Sequence, residues 1–467
     1  MYKLLLILLL LIPYSLLAQI DNGTKAIIQN IFIEGNNKTK DRIVQRELDF
    51  MIGDTISIID FEKRMLRTKK RLYNTGLFNL IHINFKGFNA SKAILDIHIS
   101  LTENLYIYPA PIFELADRNF NVWWQEMNRS WSRVNYGLRL DHINTTGVQD
   151  RLKIKLQFGY TRKYELKYIY PYITNKWGAG ASLFYSEQKE IGYITRNNKT
   201  DFFKAPDERI LLKRFRVETA LNYRPDLNTF HTFRLEFHRN GIDELVASDL
   251  NPDYFLNGDD KIRFMLFEYD FDYNGRIFNI YPIGGYRINV NIKKEGFGIF
   301  KEYNNLPIHL DMDKHFMSFD RLISSFRIKA KTNLIRDQVA FANNTGLGYS
   351  NNIVGGYELY VIDGTDYILG EYQLKIKALE KLINLGKMMP INGFKKLHLQ
   401  VFLRGNLDAA YVNERNYIAT NTFNNQWIVG YGPAIDILLF NNFLFKFEYS
   451  FNQIGESGLF IHSSNSF

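Results

Sequence analysis

Cysteine is absent from this chain of 467 residues, and proline is scarce at 11. The missing thiols exclude a disulfide scaffold, a cysteine nucleophile and every thiolate metal site. Neither sign of charge dominates. The 58 Lys and Arg against 49 Asp and Glu leave +9, a basic excess too diffuse to point at nucleic acid. Beyond the N-terminus no run approaches eighteen apolar residues, and a mean hydropathy of -0.24 is that of a soluble protein, which excludes a helical membrane protein. A barrel is not excluded, because alternation along its strands dilutes the hydropathy signal. What is plentiful is aromatic: 37 Phe and 29 Tyr. Such rings suit a membrane interface, where an apolar body meets a polar tip. With 23% charged residues and 15% aromatics the chain is too apolar for disorder, and its length allows one large domain, with or without a small one.

The start, MYKLLLILLLLIPYSLLAQ, places Lys3 before an apolar run from Leu4 to Ile12, then Pro13 and the small residue Ala18. A basic start, a short apolar core and a small residue at the cut describe a secretory signal peptide, residues 1–18, cleaved after Ala18. The run is too short for a spanning helix of about 20 residues, which weighs against the alternative of an N-terminal anchor.

Residues 26–103 form the next segment. A β-type run, Ile27 to Ile33, ends at Gly35-Asn36-Asn37. Thr39 caps a helix through Leu48, Gly53-Asp54 turns, and Asp60 opens a second helix with an apolar stripe of Phe61, Met65, Leu66, Leu72 and Tyr73. After Asn74-Thr75-Gly76 come strands Leu80–Phe85 and Ala93–Leu101. The predicted order is β-α-α-β-β.

From residue 104 to 467 the period changes to two. Leu152, Ile154, Leu156 and Phe158 alternate with Arg151, Lys153, Lys155 and Gln157; Phe443, Phe445, Phe447 and Tyr449 alternate with Lys446 and Glu448. A soluble sandwich gives the same local alternation. Strands of roughly 10 residues with aromatics at their ends favour a membrane barrel. Strands are predicted at 105–116, 132–142, 151–160, 163–172, 176–189, 211–224, 230–241, 260–274, 282–294, 305–317, 320–333, 367–378, 395–410, 426–440, 442–453 and 458–467. That is an even set of sixteen, as closure requires, with long and short connections alternating. Two connections break the alternation: the one after 151–160 is too short, and 379–394 is too long.

The strings IFIEGNNKTKDRIVQREL, GDTIS and RLYNTGLFN resemble a POTRA domain over 26–103. With the barrel behind it, the chain resembles the BamA/TamA superfamily of outer-membrane assembly factors and two-partner secretion pores. The resemblance implies a 16-stranded antiparallel transmembrane β-barrel in the cell outer membrane, its single POTRA domain in the periplasm. It implies no enzyme and no cofactor. The implied partners are outer-membrane lipids, unfolded outer-membrane or secreted client proteins, and periplasmic chaperones or lipoproteins, with no nucleic acid. POTRA domains of that family commonly add a client strand to a sheet edge. Two roles stay open: an insertase that receives client strands, or a secretion pore with a docking module.

The family's Val-Arg-Gly-Tyr loop motif is matched by Val354, Gly355, Gly356, Tyr357 and Glu358 in the long connection 334–366, with Gly355 where the arginine stands. The resemblance makes that arginine the partner of an inner-wall acid. Here Asp408, on one face with Arg404 and Asn406, is the candidate, in a loose version of the family's aromatic-x-Asp-x-Gly, and Arg404 and Asp408 are expected to pin the loop from the lumen wall. Asn144-Thr145-Thr146-Gly147 and Pro171-Tyr172 also match. The C-terminal Phe467 ends a weak β-signal.

Pro109 and Pro111 lie two apart, so both missing donors fall on one side of a strand. Either they mark a weak seam between the first and last strands, or they sit in a linker before the wall. His309, Asp311, Asp313 and His315 share one face, but neighbours about 6.6 Å apart let one ion reach at most two of them, so a polar lumen wall is the expectation and metal is not. No Gly-x-Ser-x-Gly elbow, HExxH or P-loop occurs, and no catalytic residue is assigned.

Overall fold

The computed structural model describes residues 25–465 apart from 90, 118–120, 175, 301, 320, 350–351, 390–394, 416 and 418–420; the expected leader 1–18 and Phe467 lie outside the described residues. The chain divides after Glu103 into two units.

In the first, β1 (Lys25–Glu34), β2 (Thr55–Ser57), β3 (Phe78–Asn89) and β4 (Ile94–Glu103) form a sheet ordered β2-β1-β4-β3, with β1 parallel to β4. Helices Asp41–Gln45 and Ile58–Asn74 contribute Ile43, Val44, Phe61 and Leu72 to a core shared with Ile28, Ile81, Ile97 and Ile99. Three expectations change here. The first helix starts at Asp41 after Lys40, not at a Thr39 cap, and ends at Gln45. Instead the Glu103 carboxylate accepts from the Lys38 and Thr39 amides, at 3.2 and 2.7 Å, and Thr39 is buried. The GDTIS string adds a short strand, β2, because Ile56 packs beside Ala26 in register. Leu66 is exposed rather than part of the stripe. Ser57 closes the second helix's first turn: its Oγ accepts from the Asp60 amide and donates to the Asp60 carboxylate at 2.9 Å.

The second unit is one antiparallel sheet of sixteen strands: β5 (Ile107–Leu115), β6 (Val134–Ile143), β7 (Arg151–Gly159), β8 (Thr161–Tyr170), β9 (Trp177–Gln188), β12 (Leu212–Tyr223), β13 (Thr229–Ile242), β14 (Lys261–Asn274), β15 (Gly285–Glu295), β16 (Pro307–Ser318), β17 (Leu322–Asn333), β18 (Asp366–Asn384), β19 (Lys396–Asn413), β20 (Trp427–Leu439), β21 (Phe443–Asn452) and β22 (Ser457–Asn465). Each of the sixteen segments read from the sequence is a strand. A separate hairpin, β10 (Glu190–Arg196) with β11 (Lys199–Lys204), fills the connection after β9 and was not anticipated.

The faces are inverted relative to a soluble barrel. In β19, Leu403 and Leu407 are each 49% exposed, while Arg404, Asn406 and Asp408, of the opposite parity, are buried. In β21, Phe445, Phe447 and Tyr449 are exposed while Glu448, Ser450 and Asn452 are buried. An apolar outside around a polar inside is the pattern of a barrel whose solvent is lipid. Among the described residues no helix is long and apolar enough to cross a membrane, which says nothing of strands.

The near end of the barrel is the one where β5 begins and β22 finishes. The long connections 116–133, 189–211, 243–260 and 334–365 lie at the far end. The one-residue link between β7 and β8 is a true tight turn at that end, at Tyr160. The over-long connection 379–394 begins as strand: β18 runs on to Asn384, and β18 and β19 stay paired to Asn384↔Lys396, through a bulge after Lys377. Their outer neighbours stop earlier, at Ile376 for β17 and Leu399 for β20, so the hairpin projects beyond the near rim.

Candidate functional site

The long connection between β17 and β18 turns back onto the inner wall. Leu347, Val354, Tyr357 and Ile362 are buried there with Tyr367, Leu369, Ala410, Val412 and Ile428. At its turn the Tyr357 amide donates to the Val354 carbonyl at 3.0 Å. Gly356 has φ +75°, and a Cβ there would lie 2.7 Å from the Phe451 backbone, so both conformation and space demand glycine. The Gly356 carbonyl accepts from Asn452 Nδ2 at 2.8 Å.

Gly355, in the arginine position of the motif, donates its amide to Asp408 Oδ2 at 2.9 Å. A Cβ on Gly355 would already stand 3.2 Å from Asn406, Asp408 and Glu448. The guanidinium in this region comes from the wall. Arg404 Nε donates to Asp436 Oδ2 at 3.0 Å and its Nη2 to Glu448 Oε2 at 2.9 Å, all three side chains being buried. Asn406 Nδ2 adds a bond to Glu448 Oε1 at 3.0 Å. Glu358 reaches His462 Nε2 on β22 at 3.1 Å. Of the two wall residues singled out in the sequence, Asp408 therefore holds the loop directly, whereas the charged bonds of Arg404 go to β20 and β21 and not to the loop. The expectation that both pin it is corrected to that extent. Charges on neighbouring strands are similarly matched, Arg327 with Asp311 at 2.6 Å and Lys329 with Glu371 at 3.3 Å, and Lys167 on β8 meets Glu218 on β12, across β9, at 3.1 Å.

The sequence does not mark Asp436 and Glu448 as the partners of Arg404. Their parity was available, since Asp436 stands between Ile435 and Ile437 and Glu448 between Phe447 and Tyr449. Which acid meets which base across three strands was not. Tyr281, whose hydroxyl donates to Asp436 Oδ2 at 2.8 Å, carries no sequence signal, because it lies in a connection without period. The loop and wall enclose a cavity of 490 Å³ lined by Asp313, Arg327, Glu371, Lys375 and Asp408 among others. Asp313 pairs with His315 at 2.7 Å, whose other ring nitrogen meets Ser325 Oγ at 2.8 Å, and Asp311 is taken by Arg327. Among the described residues no three metal-ligating side chains converge.

At the sheet's two ends, Pro109 and Pro111 lie within β5, opposite Leu140 and Leu138 of β6. The Ile143 amide donates to the Tyr106 carbonyl, and the Ala116 amide to the Arg133 carbonyl, both at 2.7 Å. In an antiparallel ladder this sets even-numbered residues bonding to β6, and odd-numbered ones facing away from it. Both prolines are odd. They remove donors from the side turned to β22, leaving Ile107, Phe113 and Leu115 to donate there. Among the described residues no ladder joins β5 to β22. Asn121 Nδ2, past the end of β5, does donate to the Leu459 carbonyl of β22 at 2.7 Å.

Residues 26–104 match the family described as "POTRA: Surface antigen variable number repeat". Among solved structures, the chain is similar to BamA from Haemophilus ducreyi lacking POTRA domains 1-3, at 14% identity over 94% of this chain and 84% of that one, with a TM-score of 0.52. It is also similar to CdiB from Acinetobacter baumannii (12% identity, 94% and 74% covered, TM-score 0.52) and CdiB from Escherichia coli (10% identity, 95% and 76% covered, TM-score 0.57). No curated protein matches by sequence. At such identities the likeness establishes the fold: a POTRA domain followed by a sixteen-stranded outer-membrane-type barrel.

Proposed function

We propose that a chain of this fold works in the outer membrane, POTRA domain in the periplasm, as an assembly factor that receives client strands at the seam between β5 and β22. The observation that carries this reading is the unladdered pair of end strands, with Pro109 and Pro111 taking donors from the side of β5 that faces the gap. An edge with unmet carbonyls is a template for an incoming strand, and a lipid environment raises the gain from pairing it. The POTRA sheet offers a second edge in β3, since the order β2-β1-β4-β3 leaves one side of that strand unpaired by the sheet. A conduit would need a clear lumen. Here the lumen holds the 353–358 turn against Asp408, Asn452 and His462, which favours work at the wall over passage through it.

The test is a crosslink. Ile112 on β5 and Phe460 on β22 are both buried, hence inward, whereas Ile461 is exposed and faces the other way. Ile112→Cys with Phe460→Cys is therefore the pair to oxidise, in a chain with no competing thiol. In cells that depend on the protein, locking the seam should lower the levels of many outer-membrane barrels, and reduction should restore them. A pair that crosslinks efficiently and leaves those levels unchanged would defeat the seam mechanism and favour the conduit.

A further inference from the structure

The connection between β14 and β15, residues 275–284, belongs to the near end but does not lie on the rim. Its base is a small hairpin in which the Ile277 amide donates to the Gly284 carbonyl at 2.7 Å. Its tip enters the lumen. Tyr281 is 3% exposed, its ring centroid 4.4 Å from that of Phe402, its hydroxyl donating to Asp436 at 2.8 Å and its face covered by Lys375 Nζ at 4.6 Å. Ile280 and Ile283 pack against the cluster that Tyr281 forms with Ile323, Phe402, Leu438 and Leu444. Arg276, at the hairpin's foot, reaches Asp313 across 3.5 Å.

The wall is built to match. Inward positions of β17, β19 and β21 are mostly charged or amide side chains, and β20 sets Asp436 among small and apolar ones; Ile323, Phe402, Leu438 and Leu444 share the inward parity of Ser325, Arg404, Asp436 and Lys446. All four are buried, and each lies toward the near end of its strand. An apolar patch on the wall of a polar, wettable lumen costs free energy unless something apolar covers it. Residues 280–283 cover it, and Tyr281 adds a polar anchor above. We propose that residues 275–284 are a plug that closes the lumen from the near end, seated on this patch of β17 and β19–β21 and latched by the bond from Tyr281 to Asp436. The proposal concerns access to the lumen and does not depend on whether the seam receives clients.

The plug can be tested by labelling. Gln373 lines the cavity on the far side of Lys375 from the near rim, and Leu382 is exposed on the projecting hairpin. Gln373→Cys and Leu382→Cys, each made separately in the full chain and placed in lipid vesicles, would be treated with a charged, membrane-impermeant methanethiosulfonate. Protease access to residues 26–104 identifies vesicles whose near end faces the reagent. In the otherwise unchanged chain the residue-373 thiol should react much more slowly than the residue-382 thiol. Tyr281→Ala should raise the near-side rate at position 373 by about tenfold, as loss of a closing contact shifts the open population. Far-side rates should not move. Should Tyr281→Ala fail to fold, replacing residues 278–283 by an equal Gly-Ser stretch removes the plug and spares the wall. Equal near-side rates at 373 and 382 in the unchanged chain, or no acceleration in whichever variant folds, would overturn the plug.

Discussion

A guanidinium at position 404 keeps two buried carboxylates, Asp436 and Glu448, from facing each other without compensation. Removing one partner from such a cluster leaves uncompensated buried charge, so Arg404→Ala should cost about 3–5 kcal/mol. The measurement is the temperature at which the folded barrel loses its fast migration in SDS, which should fall. Gly355→Arg alone should also destabilise, because even a Cβ there would be 3.2 Å from three polar side chains. Combined in one chain, the two changes should do less harm than their sum, the loop then supplying the charge that the wall has lost. Strict additivity would separate Gly355 from the Arg404 network. Further along the residue scale, Ser57 caps the helix Ile58–Asn74. Ser57→Ala should cost about 1 kcal/mol, read as faster amide exchange through that helix with the barrel unaffected.

The alternation of each strand decides which substitutions the wall tolerates. Leu403 points outward and Gln400 inward, three residues apart on β19. Leu403→Arg should cost about 2–4 kcal/mol at mid-depth and reduce the assembled barrel, while Gln400→Arg should be tolerated. Comparable yields would undo the face assignment. The same alternation explains what could be read before the structure. A strand whose two faces meet lipid and a polar lumen writes period two into nearly every residue, and all sixteen strands were legible for that reason. Where the physics is not periodic, reading failed. The β18–β19 hairpin keeps pairing past the rim, yet Leu379 to Asn384 resembled a loop because the bulge after Lys377 shifts the alternation by one. Thr39 has the residue type of a cap and predicts a helix longer than Asp41–Gln45, while the true partner of its amide, Glu103, is 64 residues away. In the site, Asp408 could be placed by parity, whereas its bond to a glycine amide could not. The seat of Tyr281 required knowing that a connection folds inward.

At the scale of the whole molecule, a wall of sixteen strands, each laddered to its neighbours except across the β5–β22 seam and with its apolar side chains turned outward, should not open in SDS at room temperature. Unheated chain should migrate faster than boiled chain, and mature chain that stays soluble without detergent would contradict the assignment of the outer face to lipid. The end strands of that wall are unequal. On its gap side β5 can accept hydrogen bonds along its length but can donate only from Ile107, Phe113 and Leu115, whereas β22 contains no proline. On the proposed role, a guest strand lying between them would have one sticky lip and one slippery lip. It would zip first along β22 and peel first from β5. Direction, on this view, is set by two pyrrolidine rings: the traffic of a guest through the wall is biased by which side lets go.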